Sequence, residues 1–462
     1  MTIWEYLSSL KGKTVAVLGI GVSNTPLISL LRKHGISVFA CDKKERKDLG
    51  DTAEYLESLG VKLYLGEDYL DHLAQADVIF RTPGMRPDVK QLLAAKERGS
   101  VVTSEMQVFF SVSPCPIIAV TGSDGKTTTT TLIAEMLRAA GKRVHIGGNI
   151  GHPLLADTLQ MQGNDYAVVE LSSFQLMDMT ISPHIAVVTN LAPNHLDVHH
   201  GMEEYIEAKT NVYRYQKDGD IAVFNADNKI TAQLAQSAKH RVRTFSRVGT
   251  VQDGAVLKDA MIILRRGGEE RAVLKTSEIR IPGEHNVENY LAAITAVDGL
   301  VPDECIAQVA REFSGVEHRI EFVRDVRGVK WYNDSIASSP TRTIAGLRSF
   351  AEKVILIAGG YDKHIPFDVL GDEITAHVKT LILCGATADK IEQAVRECKT
   401  YPQEQTPIIT IPTLADAVRY ADEIAQKGDI VLLSPACAAF DQFANFMERG
   451  KIFKEMVNAL SE

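Results

Sequence analysis

The sequence predicts an α/β protein of three domains built on parallel sheets, and three observations predict it. Short apolar runs alternate with helix-patterned stretches along nearly the whole chain, as they do where parallel strands are joined by crossover helices. Two of those runs end in glycine-rich loops that open a helix, the layout of a phosphate-binding turn. The length, 462 residues, is about three times the roughly 150 residues of an ordinary domain.

The elements follow in order. Residues 14–18 read as a buried strand, followed by a glycine-rich turn and a helix through Arg32. Residues 38–41 read as the next strand, closed by Asp42, and 76–80 as another, closed by Thr82-Pro83-Gly84. Two prolines within 111–116 mark a linker. A second α/β unit starts with a strand at 117–120 and continues with strands at 166–169 and 185–189. Between about 219 and 282 the pattern changes to short β-rich pieces, and 261–276, broken by Gly267-Gly268, reads as a hairpin. This stretch is expected to form a small antiparallel subdomain on the central sheet. Residues 283–300 return to helix, and a third unit begins near 314–319, with strands at 353–357, 380–383 and 429–433. The expected domains are 1–112, Rossmann-like; 113–314, P-loop ATPase-like; and 315–462, Rossmann-like again.

Composition narrows the function. With 45% hydrophobic and 24% charged residues, each domain can bury its own core. A net charge of −9 argues against a nucleic-acid binder, whose footprint is basic. The six cysteines are scattered and form no CxxC pair, which fits reduced thiols in the cytoplasm better than a disulfide framework. No apolar run is long enough to cross a bilayer, and the first residues lack a signal-peptide layout. A cytoplasmic protein without membrane insertion is expected.

The first glycine loop, Gly19-Ile20-Gly21-Val22-Ser23-Asn24, follows a strand and opens a helix, with Asp42 closing the next strand. This is the dinucleotide-loop layout with Asn24 where the third glycine would fall. It reads either as a nucleotide-diphosphate site, with Ser23 near phosphate and Asp42 or Lys44 near ribose or base, or as a tight turn without a ligand. The second loop, Thr121-Gly122-Ser123-Asp124-Gly125-Lys126-Thr127-Thr128, follows the logic of a P-loop. Glycines expose backbone amides to phosphate, Lys126 adds positive charge and Thr127 offers a hydroxyl to Mg²⁺. Val120 stands where the usual first glycine would be, so the loop is shorter. Glu170, closing the strand 166–169, would lie at the same sheet edge, where a Mg²⁺ ion bridging it, Thr127 and phosphate suits a hard cation. His195 gains interest because it follows the third strand of that sheet. The cluster of His195, His199 and His200 lacks the paired ligands of a zinc site. Lys209, on a helix, reads from composition alone as a surface lysine.

Taken together these motifs resemble the Mur ligase family over the whole chain. The resemblance rests on TGSDGKT, GGNIG at 147–151, ELSSFQL at 170–176, NLAPNHLD at 190–197, Lys209, GEHNVEN at 283–289, His318-Arg319, NDS at 333–335 and LSPACAAFDQF at 433–443. It implies an ATP- and Mg²⁺-dependent amide-bond ligase that joins D-glutamate to UDP-N-acetylmuramoyl-L-alanine in cell-wall precursor synthesis, with a monomer expected. It implies that Gly122, Ser123, Asp124, Gly125, Lys126, Thr127 and Thr128 surround the ATP phosphates. Asn286 and Asn289 would meet the adenine nucleotide, and Arg319 and Asp334 would reach ATP from the third domain. Asn149 and His195 would contact the muramoyl substrate, while Val22, Ser23, Asp42, Lys44 and Gly84 would hold its UDP part. Thr127, Glu170, His195 and Lys209 would serve the metal, Lys209 as a carbamylated lysine, and Lys126, Glu170, His195 and Lys209 form the implied catalytic set. The chain has Ile336 where the family often has lysine and Ala439 where it often has serine. Lys363 therefore becomes the expected cation for D-glutamate, beside Ala439 and Phe440. Two other readings compete: a nicotinamide-dependent dehydrogenase built on the first loop, which the GKT loop and Glu170 do not suit, and a nucleotide-binding switch without ligase activity.

Overall fold

The computed structural model describes residues 1–21, 24–193, 198–363, 365–401 and 406–461. They divide into two compact units, Met1–Thr276 with Glu288–Val309, and Ser277–Val287 with Ala310–Glu462.

The first unit holds two sheets. The first consists of β1 (Thr14–Leu18), β2 (Ser37–Asp42), β3 (Lys62–Leu65), β4 (Val78–Phe80) and β5 (Val101–Thr103), all parallel in the order β3-β2-β1-β4-β5. The second contains β6 (Ile117–Thr121), β7 (Val144–Gly148), β8 (Tyr166–Glu170), β9 (Ile185–Val188), β10 (Ile221–Asn225), β11 (Arg241–Ser246), β12 (Gly254–Lys258), β13 (Met261–Arg266) and β14 (Glu269–Lys275). Its order is β14-β13-β12-β11-β10-β9-β6-β8-β7. The second unit carries β15 (Glu321–Val326), β16 (Val329–Asn333), β17 (Val354–Ala358), β18 (Val378–Leu383), β19 (Ile408–Thr410) and β20 (Ile430–Leu433), in the order β15-β16-β20-β17-β18-β19.

Strands predicted as continuous apolar runs are buried on both faces, as parallel strands flanked by helices must be. Every residue of β6 and of β17 is buried. The stretch 219–282 departs from expectation in one respect. It lies on the central sheet as expected, but β10, β11 and β12 continue that sheet in parallel register, and only the β12–β13 and β13–β14 pairings are antiparallel. The 261–276 hairpin is present as β13 and β14. The alternating burial of β13, with Ile262 and Leu264 inward, explains why that piece read as a hairpin strand.

In both sheets of the first unit the strand order reverses beside one strand, the kind of point at which loops leaving the strands' carboxyl ends bind ligands in open α/β sheets. The reversal falls at β1 in the first sheet and at β6 in the second, which are the two strands followed by glycine loops. One apolar cluster runs through both sheets of the first unit, joining Val15, Val17 and Phe80 to Phe109, Ile117, Leu154 and Val169. The second unit has its own core on the two faces of its sheet, around Leu356 and Leu383 on one side and Trp331 and Phe453 on the other.

Candidate active site

The helix after β6, Lys126–Ala139, carries five consecutive threonines directly after its first residue. β-Branched side chains are poor helix formers in isolation. Here Thr128, Thr129 and Thr130 are buried, and Thr131 Oγ1 donates to the Thr127 carbonyl at 2.8 Å, so packing supplies what propensity does not. The loop before it is closed from the next strand end. Ser123 N donates to Asn190 O at 2.9 Å, Asp124 N to Asn190 Oδ1 at 2.9 Å, and Thr189 Oγ1 to Asp124 O at 2.6 Å. Gly122 sits at φ +149°, where a Cβ would lie 2.0 Å from Thr189 Oγ1, so this close approach requires glycine.

Around this loop the charged groups converge. Glu170, 1% exposed at the end of β8, receives the Thr127 hydroxyl at 2.7 Å on one carboxylate oxygen and the Asn149 amide at 2.7 Å on the other. The Asn149 backbone N–H also donates to Glu170 O at 2.8 Å. Lys126 Nζ donates to Ser123 O at 2.8 Å. Lys209 is buried, not the surface lysine its composition suggests. Its Nζ donates to Thr121 Oγ1 at 3.0 Å and Gly122 O at 2.9 Å, and lies 4.9 Å from the Tyr205 ring centre. Burial holds the Lys209 ammonium well below its usual pKa; Lys126 lowers it further, while Glu170 and Asp124 oppose the shift. The donor set of Thr127 and Glu170 is all hard oxygen and fits Mg²⁺. Asn289 reaches the same helix, accepting from Thr129 Oγ1 at 3.2 Å, while Asn286 Nδ2 donates to Pro282 O at 2.5 Å.

The loop after β1 is closed differently. Asp42 Oδ2 accepts from Ile20 N at 2.5 Å and Oδ1 from Lys44 N at 2.8 Å, so the carboxylate pins the glycine turn. Asn24 opens the helix Asn24–Lys33, and its side-chain amide donates back to Leu18 O and Gly19 O at 2.8 and 3.1 Å. Gly84 is exposed in the loop after β4. Val22, Ser23 and His195 lie outside the described residues.

In the second unit, Asp334 closes β16 and accepts from Ser434 Oγ at 2.7 Å and Ile320 N at 3.3 Å. Burial pushes its carboxyl up to about 7 against those two hydrogen bonds. Arg319 stands between His318 and Ile320, which adopt φ of +65° and +44°. Such backbone costs of order 1–3 kcal/mol per residue and persists where neighbours impose it. Glu321 Oε2 imposes it here, accepting His318 N at 2.9 Å and Asn333 Nδ2 at 3.0 Å. Lys363 is exposed two residues after Tyr361, whose N–H donates to Ala438 O at 2.9 Å. Ala439 is buried and Phe440 exposed, its ring 5.8 Å from that of Tyr361.

Sequence reasoning passed over Asn190, Tyr205 and Arg449. Asn190 begins the NLAPNHLD motif, which was the available signal. Tyr205 Oη meets Ser123 Oγ at 2.9 Å. Arg449 is buried and donates to Ser335 O and Cys437 O at 2.9 and 3.0 Å, tying the NDS and LSPACAAF loops together; a lone arginine on a helix gave no signal.

Family models match the chain in three consecutive segments. They are the Mur ligase MurD-like N-terminal domain at 13–104, the Mur ligase middle domain at 120–297, and the Mur ligase glutamate ligase domain at 318–437. The chain belongs to the Mur ligase family. Among Mur ligases, it is 54% identical to UDP-N-acetylmuramoylalanine–D-glutamate ligase of Acetivibrio thermocellus, over 99% of this chain and 98% of that one. It is 50% identical to the enzyme of the same name from Clostridium kluyveri, over 98% of each chain. Solved Mur ligases share its fold. UDP-N-acetylmuramate–alanine ligase of Thermotoga maritima aligns with a TM-score of 0.58 at 18% identity, covering 97% of this chain and 99% of that one. A Mur ligase of Acinetobacter baumannii, MurF, gives 0.57 at 18% identity over 84% and 92%.

Proposed function

We propose that this Mur ligase joins D-glutamate to UDP-N-acetylmuramoyl-L-alanine at the expense of ATP. The observation that carries the reading is the Thr127–Glu170 contact flanked by Lys126 and buried Lys209, in a chain 54% identical to a D-glutamate ligase over 99% of its residues. A carboxylate is a poor acylating agent, so it must first be activated. Its oxygen attacks the γ-phosphorus of ATP, the bond to the bridging oxygen breaks, and ADP leaves an acyl phosphate. The D-glutamate amine then adds to the acyl carbon, loses a proton, and the tetrahedral intermediate expels inorganic phosphate. The first step brings two anions together, and the Lys126 ammonium lowers their repulsion while the glycine loop orients the phosphates. Thr127 and Glu170 would hold Mg²⁺, which when bound neutralises phosphate charge. Burial disfavours the charged form of Lys209 and so favours the nucleophilic amine that CO₂ needs to make a carbamate. The resulting anion beside Thr121 and Gly122 would extend the oxygen set around the metal.

In this reading residues 1–112 receive the UDP substrate through Asp42, Lys44 and Gly84 with Val22 and Ser23, and 113–314 hold ATP, with Asn149 and His195 assigned to the muramoyl part. Residues 315–462 supply Arg319 and Asp334 to ATP, and Lys363 with the backbone of Ala439 and Phe440 to D-glutamate. We assign the protein to the cytoplasm as a monomer; among the described residues no helix is long and apolar enough to cross a membrane. Product analysis after incubation with ATP, Mg²⁺, UDP-N-acetylmuramoyl-L-alanine and a panel of amino acids tests the reaction. A D-glutamyl product with equimolar ADP and phosphate is expected, and phosphate release without an amide product overturns it. Lys363→Ala tests the amino-acid site. Losing a charge-assisted contact of about 1.5–3 kcal/mol should raise the KM for D-glutamate by about ten- to a hundredfold. An unchanged KM would remove Lys363 from the site.

A further inference from the structure

Two arginines bracket the loop that leaves β4, and both reach out of the first sheet's domain into the second's. Arg81, 1% exposed at its side chain, forks onto Asp178, Nε to Oδ2 at 3.1 Å and Nη2 to Oδ1 at 2.6 Å. Its Nη1 donates inward to the carbonyls of Thr82, at 3.1 Å, and Met85. The loop is thus folded around a cation anchored in the neighbouring domain.

Arg86, at the loop's other end, forks onto Glu204 at 2.7 and 3.0 Å and donates to Val198 O at 2.7 Å. Asp88 on its own segment accepts from Nε and Nη2 at 2.9 and 2.8 Å and fixes the guanidinium plane. Glu204 stands in the first turn of the helix Met202–Arg214. That helix touches the phosphate loop at three points: Tyr205 Oη on Ser123 Oγ, and Lys209 Nζ on Thr121 Oγ1 and on Gly122 O. The segment just before that helix meets the ELSSFQL motif through His199, whose Nδ1 lies 3.4 Å from Glu204 Oε2, whose ring stacks on Phe174 at 5.4 Å and whose Nε2 lies 2.9 Å from Ser173 Oγ. One unbroken path of short contacts therefore leads from the Gly84 loop to the loop that cradles phosphate.

Stability is a weak reason for such a pair. Arg86 and Glu204 are 19% and 29% exposed at their side chains, and partly exposed ion pairs contribute little to folding. A bidentate fork, by contrast, fixes orientation as well as distance. We propose that Arg86 and Glu204 couple the two substrate sites. A ligand that settles the Gly84 loop fixes Arg86, Arg86 fixes the first turn of the Lys209 helix, and the helix fixes the phosphate loop, so that the UDP-linked substrate and ATP each tighten the binding of the other. Arg86 and Glu204 are positioning residues in this scheme, and the inference rests on the reading of Gly84 as part of the UDP-substrate site. Ordering shared in this way makes the second ligand bind with less to organise, and the gain is reciprocal by linkage.

Calorimetric titration with UDP-N-acetylmuramoyl-L-alanine and an imido-bridged ATP analogue, each alone and with the other saturating, measures the coupling. Wild type should show a factor of about five or more in both directions. In Arg86→Ala, and in the isosteric Glu204→Gln, the factor should fall towards one, and the double variant should lose no more than either. The charge swap Arg86→Glu with Glu204→Arg should restore part of it. KM for both substrates should rise while kcat at saturation stays within about twofold and the melting temperature holds. Wild type that binds both ligands without coupling, or variants that keep the factor, overturns the inference. So does loss of the factor only together with a lowered melting temperature, which would mark a structural pair. Wild type that fails to bind the UDP-linked compound at all defeats the substrate reading itself, and the inference with it.

Discussion

The loop after β1 and the loop after β6 leave a buried parallel strand in the same way and enter a helix in the same way, yet their polar groups go to different partners. In the first, a carboxylate from the neighbouring strand pins the turn by accepting Ile20 N–H, and a side-chain amide at the head of the helix folds back on Leu18 and Gly19. The segment from Gly19 to Asn24 contains no lysine or arginine. In the second, two lysines, a carboxylate and a hydroxyl crowd the turn, and the strand-end residues Thr189 and Asn190 hold its backbone. A loop of the first kind can grip a diphosphate through its amides and helix terminus. A loop of the second kind also supplies mobile positive charge and hard oxygen ligands, which phosphoryl transfer requires. In the proposed reading one geometry serves binding in one place and chemistry in the other, and the difference lies in the charges each loop gathers.

Removing charge from the second loop should give the largest effect. Lys126→Ala is expected to lower kcat by about 10²–10³-fold with an unchanged circular dichroism spectrum, the worth of one preorganised group at a developing charge. Near-normal turnover would make the two loops equivalent. Lys209→Ala should cost on the order of 10²-fold or more. Part of the rate should return with added formate or acetate, which place a carboxylate where the carbamate would be, and full activity without them would remove Lys209 from the chemistry. The glycines sharpen the comparison. At Gly122 a Cβ would meet Thr189 Oγ1 at 2.0 Å and Asn190 O at 3.0 Å, whereas at Gly19 it would approach Thr82 Cβ at 3.0 Å. Gly122→Ala should therefore abolish binding of the ATP analogue. Gly19→Ala should lose about 1–2 kcal/mol of stability from its left-handed backbone and keep that binding, as thermal melts and titration would register. The smallest change is expected for Asp42→Asn, which keeps one acceptor for the turn. It should raise the KM for the UDP-linked substrate by about tenfold, roughly 1.4 kcal/mol, and leave the KM for ATP unchanged.

The strands of the fold were legible where an unbroken apolar run filled them, as in β17 and in β1 and β6 apart from one terminal threonine each, because a strand buried on both faces has little polar to interrupt it. β3 and β5 were missed, since they flank the first sheet, run only four and three residues, and keep exposed positions. β10, β11 and β12 misled for another reason. Parallel pairing is set by partners distant in sequence, and Ile221 pairs with Ile185 and Arg241 across intervening helices that the local pattern does not announce. Within the site, Lys126 and Thr127 were legible from spacing alone. Lys209 was not, because its burial follows from the helix Met202–Arg214 lying over Thr121 and Gly122, some 88 residues earlier in the chain. A separation of 66 residues from Asp124 hid Asn190, and Arg449 draws its meaning from carbonyls at Ser335 and Cys437 that no local pattern links to it.

The apolar cluster that runs from Val15 through Phe109 and Ile117 to Val169 has a consequence for how the chain comes apart. Two sheets that fill one another's core cannot lose it separately, because exposing either would leave the other's interior open to water. Residues 1–276 should therefore unfold as one cooperative block although they comprise two sheets, with the second unit, cored on its own strands, melting as another. Amide exchange should then protect β1 and β6 to the same free energy, and a cut in the 113–116 connection should fail to release an N-terminal fragment that stands alone.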